Sequence, residues 1–175
     1  MGIIICGMNG SGKSTLGRAL AEHLGWRFID NEDLYFPKDD PLHPYAVERT
    51  QAEVEALLLA EVRRDERFVF AAVRGNYGKA VLPYYKAAVL VEVPREIRLQ
   101  RVWARSHRKF GERMLPGGDL YESEEAFYNL ISARPEDYAT RWLDTVDIPV
   151  LRVDGTSPVG ENVTVIADWL RRING

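Results

Sequence analysis

Apolar residues along this chain come in short unbroken runs separated by stretches of helical spacing. The run Gly2-Ile3-Ile4-Ile5-Cys6 does not alternate with polar residues, so it predicts a strand covered on both faces. Leu16, Leu20 and Leu24 then share one helical stripe from about Lys13, and Gly25 supplies the stop. Residues 26–30 predict a short second strand ending in acid, and residues 68–73, 87–93 and 148–153 predict three more. Helices fall between them. One runs from about Val47 to Arg64 and buries Val54, Leu57, Leu58 and Val62, and another is opened by Pro94 at its first turn. A third carries Phe127, Leu130 and Ile131 behind a capping box of Asp119 and Glu122. Pro135 restarts the chain as a short helix with Glu136 and Asp137 in its first turn. The last helix, capped by Ser157 and Pro158, sets Val159, Val163, Ile166 and Leu170 at helical spacing. Such alternation is the mark of an α/β fold with a parallel sheet wrapped by helices.

Two segments break the rhythm. Residues 31–47 hold Pro37, Pro41 and Pro44 and few periodic apolar positions, so they predict an irregular or partly helical insertion. Residues 109–120 are basic at first and then rich in Gly and Pro, which suits a mobile flap. At 175 residues, one domain spanning 1–175 accounts for all the elements, with an insertion near 31–50 and a lid near 105–120.

Composition narrows the class without naming it. The chain is 46% hydrophobic and 28% charged, with a net charge of −3, values ordinary for a globular protein. They offer no whole-molecule attraction for nucleic acid or an anionic membrane. Cys6 alone cannot form an intramolecular disulfide, so a reducing, cytoplasmic setting is expected. No leader peptide or membrane-length apolar stretch is evident. His23, His43 and His107 show no metal-ligand spacing.

Residues 7–14 carry the chemistry. Gly7-Met8-Asn9-Gly10-Ser11-Gly12-Lys13-Ser14 fits Gly-x-x-x-x-Gly-Lys-Ser in full, after a buried strand and before an amphipathic helix. Glycines let the backbone curl so that successive N–H groups face phosphate oxygens. The following helix adds the positive end of its dipole. Gly7, Asn9, Gly10, Ser11, Gly12 and Thr15 therefore predict a phosphate cradle, Lys13 a cation for the β- and γ-phosphates, and Ser14 a Mg²⁺ ligand. ATP with Mg²⁺ is the expected cofactor pair. A guanine-reading Asn-Lys-x-Asp element is absent. The third strand ends Val73-Arg74-Gly75, not in the Asp-Glu of an ABC- or AAA-type motor, so a compact phosphotransferase is expected.

Gly-x-x-Gly-Ser-Gly-Lys-Ser-Thr-x-Gly through Gly17 resembles the opening of shikimate kinase, and Phe28-Ile29-Asp30-Asn31-Glu32-Asp33 stands where that family carries its Asp-x-Asp motif. The chain thus resembles the P-loop kinases of small molecules and nucleotides, with shikimate, gluconate and adenylate kinase as the nearest families. Here the second acid is Glu32, with Asp33 beside it. The resemblance implies a three-layer P-loop NTPase fold, a five-stranded parallel sheet in the order 2-3-1-4-5, and a small lid. Asp30 would hold Mg²⁺ through water or accept the acceptor's proton, while Glu32 or Asp33 would hold its hydroxyls. Arg98, Arg101, Arg105 and Arg108 lie on one helical stripe leading into the flap. In resembling kinases such a helix delivers lid arginines to the phosphates, which points to Arg101 and Arg105, with Arg105 catalytic. Arg134 inherits a substrate-carboxylate role, and Arg49 an anion-binding one. Arg74 and Gly75 take the place of the family's glycine-rich substrate loop, and the arginine there implies an extra anionic group on the acceptor. The turn at 154–158 would pack beside the adenine. A small-molecule phosphate acceptor is the expected partner, with an ATPase of regulatory or partner-binding role as the alternative.

Overall fold

The computed structural model describes residues 1–175, the side chain of Asn174 excepted. Five parallel strands, β1 (Gly2–Cys6), β2 (Arg27–Asp30), β3 (Phe68–Ala72), β4 (Tyr85–Glu92) and β5 (Val150–Asp154), form one sheet in the order β2-β3-β1-β4-β5. Strand β1 is central, paired in register with β3 from Gly2 opposite Phe68 to Cys6 opposite Ala72, and with β4 on its other side.

That position explains the unbroken apolar run. Ile3 and Ile5 point into one core, with Leu16 and Leu20 of α1 (Lys13–Leu24) and Val163, Ile166 and Leu170 of α7 (Val159–Asn174). Ile4 and Cys6 point into the other, with Val54, Leu58 and Val62 of α3 (Gln51–Arg64) and Trp142 and Leu143 of α6 (Thr140–Leu143). A strand sandwiched between two such layers has no polar face to display.

Several boundaries differ from those the pattern predicts. Helix α3 starts at Gln51, because Thr50 and Glu53 form a reciprocal capping box that ends the insertion. Leu57 faces outward at 38% exposure. Helix α4 (Arg95–Phe110) takes Pro94 as its N-cap and runs well into the expected flap, followed by a 3₁₀ turn at Gly111–Met114. Asp119 does not cap α5 (Tyr121–Ala133): Leu120 holds that position, and Asp119 pairs with Arg113 instead, at 2.6 Å. The helix expected from Pro135 begins only at Thr140, after turns. Ser157 makes no capping bond to α7.

Candidate nucleotide and acceptor site

Every strand runs the same way, so the loops after β1, β2, β3 and β4 converge on one edge of the sheet, where open α/β folds bind ligands. The phosphate loop leaves β1 anchored on both sides: the Gly7 N–H donates to the Val73 carbonyl at 3.3 Å, and the Ser11 N–H to Met8 at 3.1 Å. Gly10 has φ 81°, and a Cβ there would lie 2.2 Å from the Arg98 carbonyl of α4. Gly12, the α1 N-cap, has φ 89° and faces open space. The loop is therefore packed on one side and open on the other, the shape of a cradle. Ser11 is sealed from solvent and its hydroxyl is unpartnered. Ser14 and Thr15 open α1, and Thr15 borders a cavity of about 350 Å³ shared with Ser11, Gly12, Arg101 and residues 155–159.

Lys13 sits at the root of this cradle. Burial pulls its ammonium down from 10.5 to about 8, with Asp30 and Glu32 opposing the shift and Arg105 adding to it. Asp30, Glu32 and Arg105, from three different elements, are thus each within electrostatic reach of Lys13. A lowered lysine pKa means that the unfolded chain binds more protons between pH 8 and 10.5, so the ligand-free fold gains stability as pH rises through that window. A bound polyphosphate restores the ammonium. Nucleotide binding at pH 8 is expected to take up about half a proton, measured by titration calorimetry in two buffers of different ionisation enthalpy. Uptake that is nil, or unchanged in Lys13→Met, would show that Lys13 does not meet the phosphates.

The acidic segment after β2 divides its duties. Asp30 caps the short helix α2 (Asn31–Tyr35), one carboxylate oxygen accepting from the Glu32 N–H at 3.0 Å. Glu32 accepts from the Tyr45 hydroxyl at 2.7 Å, and Lys109 of α4 donates to the same hydroxyl at 2.9 Å. Asp33 turns away to Lys38 at 2.8 Å. Arg49 donates to the Leu34 carbonyl at 2.8 Å and to the Asp33 carbonyl at 3.4 Å, closing the insertion on itself.

The arginine stripe is sorted by burial. Arg98 is 3% exposed and holds the Val93 carbonyl at 3.0 Å and Glu136 at 2.7 Å. Arg101 donates to the Gly155 carbonyl at 3.1 Å, across the mouth of the 350 Å³ cavity. Arg105 is exposed and makes no hydrogen bond or ion pair among the described residues. Arg113 holds Asp119 and also donates to the Leu42 carbonyl at 3.2 Å, fastening the lid to the insertion.

On the far side of the loop, Arg134 donates to the Asn9 side chain at 2.6 Å. Its guanidinium lies 5.2 Å from the Tyr138 ring centre, and that of Arg74 lies 4.3 Å from the same centre. One aromatic ring therefore gathers two cations from different loops. Gly75 is buried against Trp142 and Ile4. The sequence pattern did not single out Lys109 or its partner Tyr45 in the insertion. Their signal lies in contacts between the insertion and the lid, which no local spacing reveals.

Fold and loop together define a P-loop nucleotide-binding domain of the kinase-like type. A family profile described as an AAA domain matches residues 3–128, although the β3 edge, Val73-Arg74-Gly75, lacks the Asp-Glu of a motor. The uncharacterized protein YqaC of Bacillus subtilis is 27% identical over 176 residues, covering 96% of each chain. A shikimate kinase of Gloeobacter violaceus is 31% identical over 129 residues, covering 68% of this chain and 70% of that one. Among solved structures, a sugar kinase from a Janibacter species superposes with a TM-score of 0.57 at 16% identity, over 97% of this chain and 94% of that one. The chain belongs to the P-loop small-molecule kinase family. No helix among the described residues is long and apolar enough to cross a membrane.

Proposed function

We propose that the protein is an ATP- and Mg²⁺-dependent kinase that transfers the γ-phosphoryl group to an oxygen of a small metabolite or nucleotide, in the cytoplasm. The observation that carries this reading is the phosphate loop, packed on α4 at Gly10 and open at Gly12, with Lys13 at its root within electrostatic reach of Asp30, Glu32 and Arg105. Lys13 is a desolvated cation in need of anionic partners. The cavity by Arg101 and residues 155–159 suits the adenine, with the Thr15 and Ser11 end toward the phosphates.

The Mg²⁺ donor set fits the same picture. Ser14 would hold the ion directly and Asp30 through water, and the ion would supply neutralising charge to the phosphates. Mg²⁺ at such a site keeps waters and phosphate oxygens as its main ligands, so one hydroxyl and one carboxylate suffice from the protein. The acceptor hydroxyl attacks the γ-phosphorus, the bond to the β,γ-bridging oxygen breaks, and ADP leaves. The Asp30 oxygen not engaged by Glu32 takes the hydroxyl proton, while Lys13 and Arg105 offset the charge that spreads over the transferred group. Glu32 holds acceptor hydroxyls, and Arg74 and Arg134 hold an anionic group of the acceptor, with Gly75 lining that wall. Asp33 and Arg49 shape the insertion that presents Glu32. Contacts of Lys109 and Arg113 with the insertion keep water from the phosphates.

The test is ATP turnover, followed by ADP release, across a panel of shikimate, D-gluconate, aldoses, amino sugars and nucleoside monophosphates. At least one is expected to raise turnover about tenfold or more over the unstimulated rate. No stimulation by any of them would sink the acceptor-kinase reading in favour of an ATP-binding protein with slow hydrolysis.

A further inference from the structure

Two loops fastened to the phosphate loop each carry an arginine toward it. Arg74 stands just past β3, and the carbonyl of its neighbour Val73 accepts the Gly7 N–H at 3.3 Å. The chain beyond Arg74 also reaches the acidic segment, where the Tyr77 hydroxyl donates to the side chain of Asn31, next to Asp30. Arg134 follows α5, and one of its nitrogens donates to the Asn9 side chain at 2.6 Å. Both arginines are therefore tied by contact to the edge of the sheet where the transferred phosphate would lie.

Tyr138 joins them. Its ring packs against the core that holds Ile4 and Trp142, and its N–H donates to the Pro135 carbonyl at 3.0 Å. The Arg74 and Arg134 guanidiniums lie 4.3 Å and 5.2 Å from the centre of that ring. Both arginines are half-buried. Among the described residues neither pairs with a carboxylate, and Arg74 makes no hydrogen bond at all. Arg98 and Arg113, by contrast, hold Glu136 and Asp119. An aromatic face attracts a cation but carries no net charge. Two like charges gathered on one ring repel, so the pair is left needing an anion.

The chemistry of that anion follows from the donors. A carboxylate brings one charge and two oxygens, which a single guanidinium fork fills. A phosphate monoester brings up to two charges and three terminal oxygens, enough for two forks. Resting on the kinase reading above, we propose that Arg74 and Arg134 bind a phosphate monoester already present on the acceptor, with Tyr138 as the positioning residue that holds the two guanidiniums together. The acceptor is thus a sugar phosphate or a nucleoside monophosphate. This departs from the carboxylate that the resemblance implies for Arg134.

The experiment uses the full chain loaded with Mg²⁺ and a non-hydrolysable ATP analogue, so that the phosphate loop is filled and an added phosphate reads the two arginines. Titration calorimetry compares glucose with glucose 6-phosphate, adenosine with AMP, and D-gluconate as the carboxylate arm. At least one phosphorylated compound is expected to bind about tenfold or more tighter than its parent and than gluconate. Which pair responds separates a sugar phosphate from a nucleoside monophosphate. Arg74→Met and Arg134→Met should each weaken that binding about 10- to 100-fold, the worth of hydrogen bonds to a charged group. Tyr138→Leu should weaken it about tenfold, while Tyr138→Phe, which keeps the ring, should stay within about threefold of wild type. Equal affinity for phosphorylated compound and parent, binding of neither, or tighter binding of gluconate overturns the proposal. So does a phosphate preference that survives Arg74→Met. A melting temperature lowered by more than about 5 °C in both arginine variants before ligand is added also overturns it, marking the pair as structural. Phosphomonoester binding without ATP turnover on any acceptor leaves the phosphate site standing and sinks the kinase reading. Turnover with unphosphorylated acceptors alone does the reverse.

Discussion

Lys13→Met is expected to lower acceptor phosphorylation by at least about 10²- to 10³-fold, the usual loss when one preorganised charge-stabilising donor is removed. The variant should nonetheless fold. Burial, as the largest cause, depresses the Lys13 ammonium to about 8, so the cation is poorly solvated in the ligand-free protein, and a neutral side chain of similar length relieves that strain. Melting at or above the wild-type temperature near pH 7 would separate a chemical defect from a folding one. Undiminished phosphotransfer in a folded Lys13→Met protein would remove the mechanism, whatever the acceptor.

Arg105→Ala should come next in size. Arginines supplied to a transferred phosphoryl group can be worth 10³–10⁵ in kcat, but Lys13 shares the task here, so a loss of about 10²- to 10³-fold is expected. Arg105 is exposed, without hydrogen bond or ion pair among the described residues, and coupled to Lys13. Its truncation should leave the melting temperature within about 2 °C. Arg105→Lys should recover part of the rate, since a point charge replaces a fork that can engage two phosphate oxygens. Steady-state kinetics with the acceptor found in the panel decide the matter, and a kcat within threefold of wild type would dismiss Arg105 from the reaction.

The donor half was legible in the chain because its chemistry is local. The phosphate loop, the buried strand before it and the helix after it are contiguous, and β1 and α1 have the extents that pattern predicts. Sheet order followed from resemblance to kinases with the same opening, and the structure has it. The stripe of four arginines was equally visible, but spacing could not tell the buried Arg98 from the free Arg105, since that depends on Glu136 arriving from beyond α5. Boundaries slipped where one side chain chose between partners: Thr50 took Glu53, and Asp119 took Arg113. The contacts between the insertion and the lid join residues far apart in sequence, Lys109 with Tyr45 and Arg113 with Leu42, through tertiary structure alone.

The central place of β1 sets unequal freedoms on the two halves. The phosphate loop springs from a strand paired on both edges and covered on both faces, so a substitution near it disturbs both cores. Residues 37–48 bury no side chain fully and rest largely on their own turns and on the lid. Descent with modification can therefore rewrite residues 37–48 one by one while inheriting the phosphate loop intact, which gives a physical reason for one scaffold to carry insertions of many kinds.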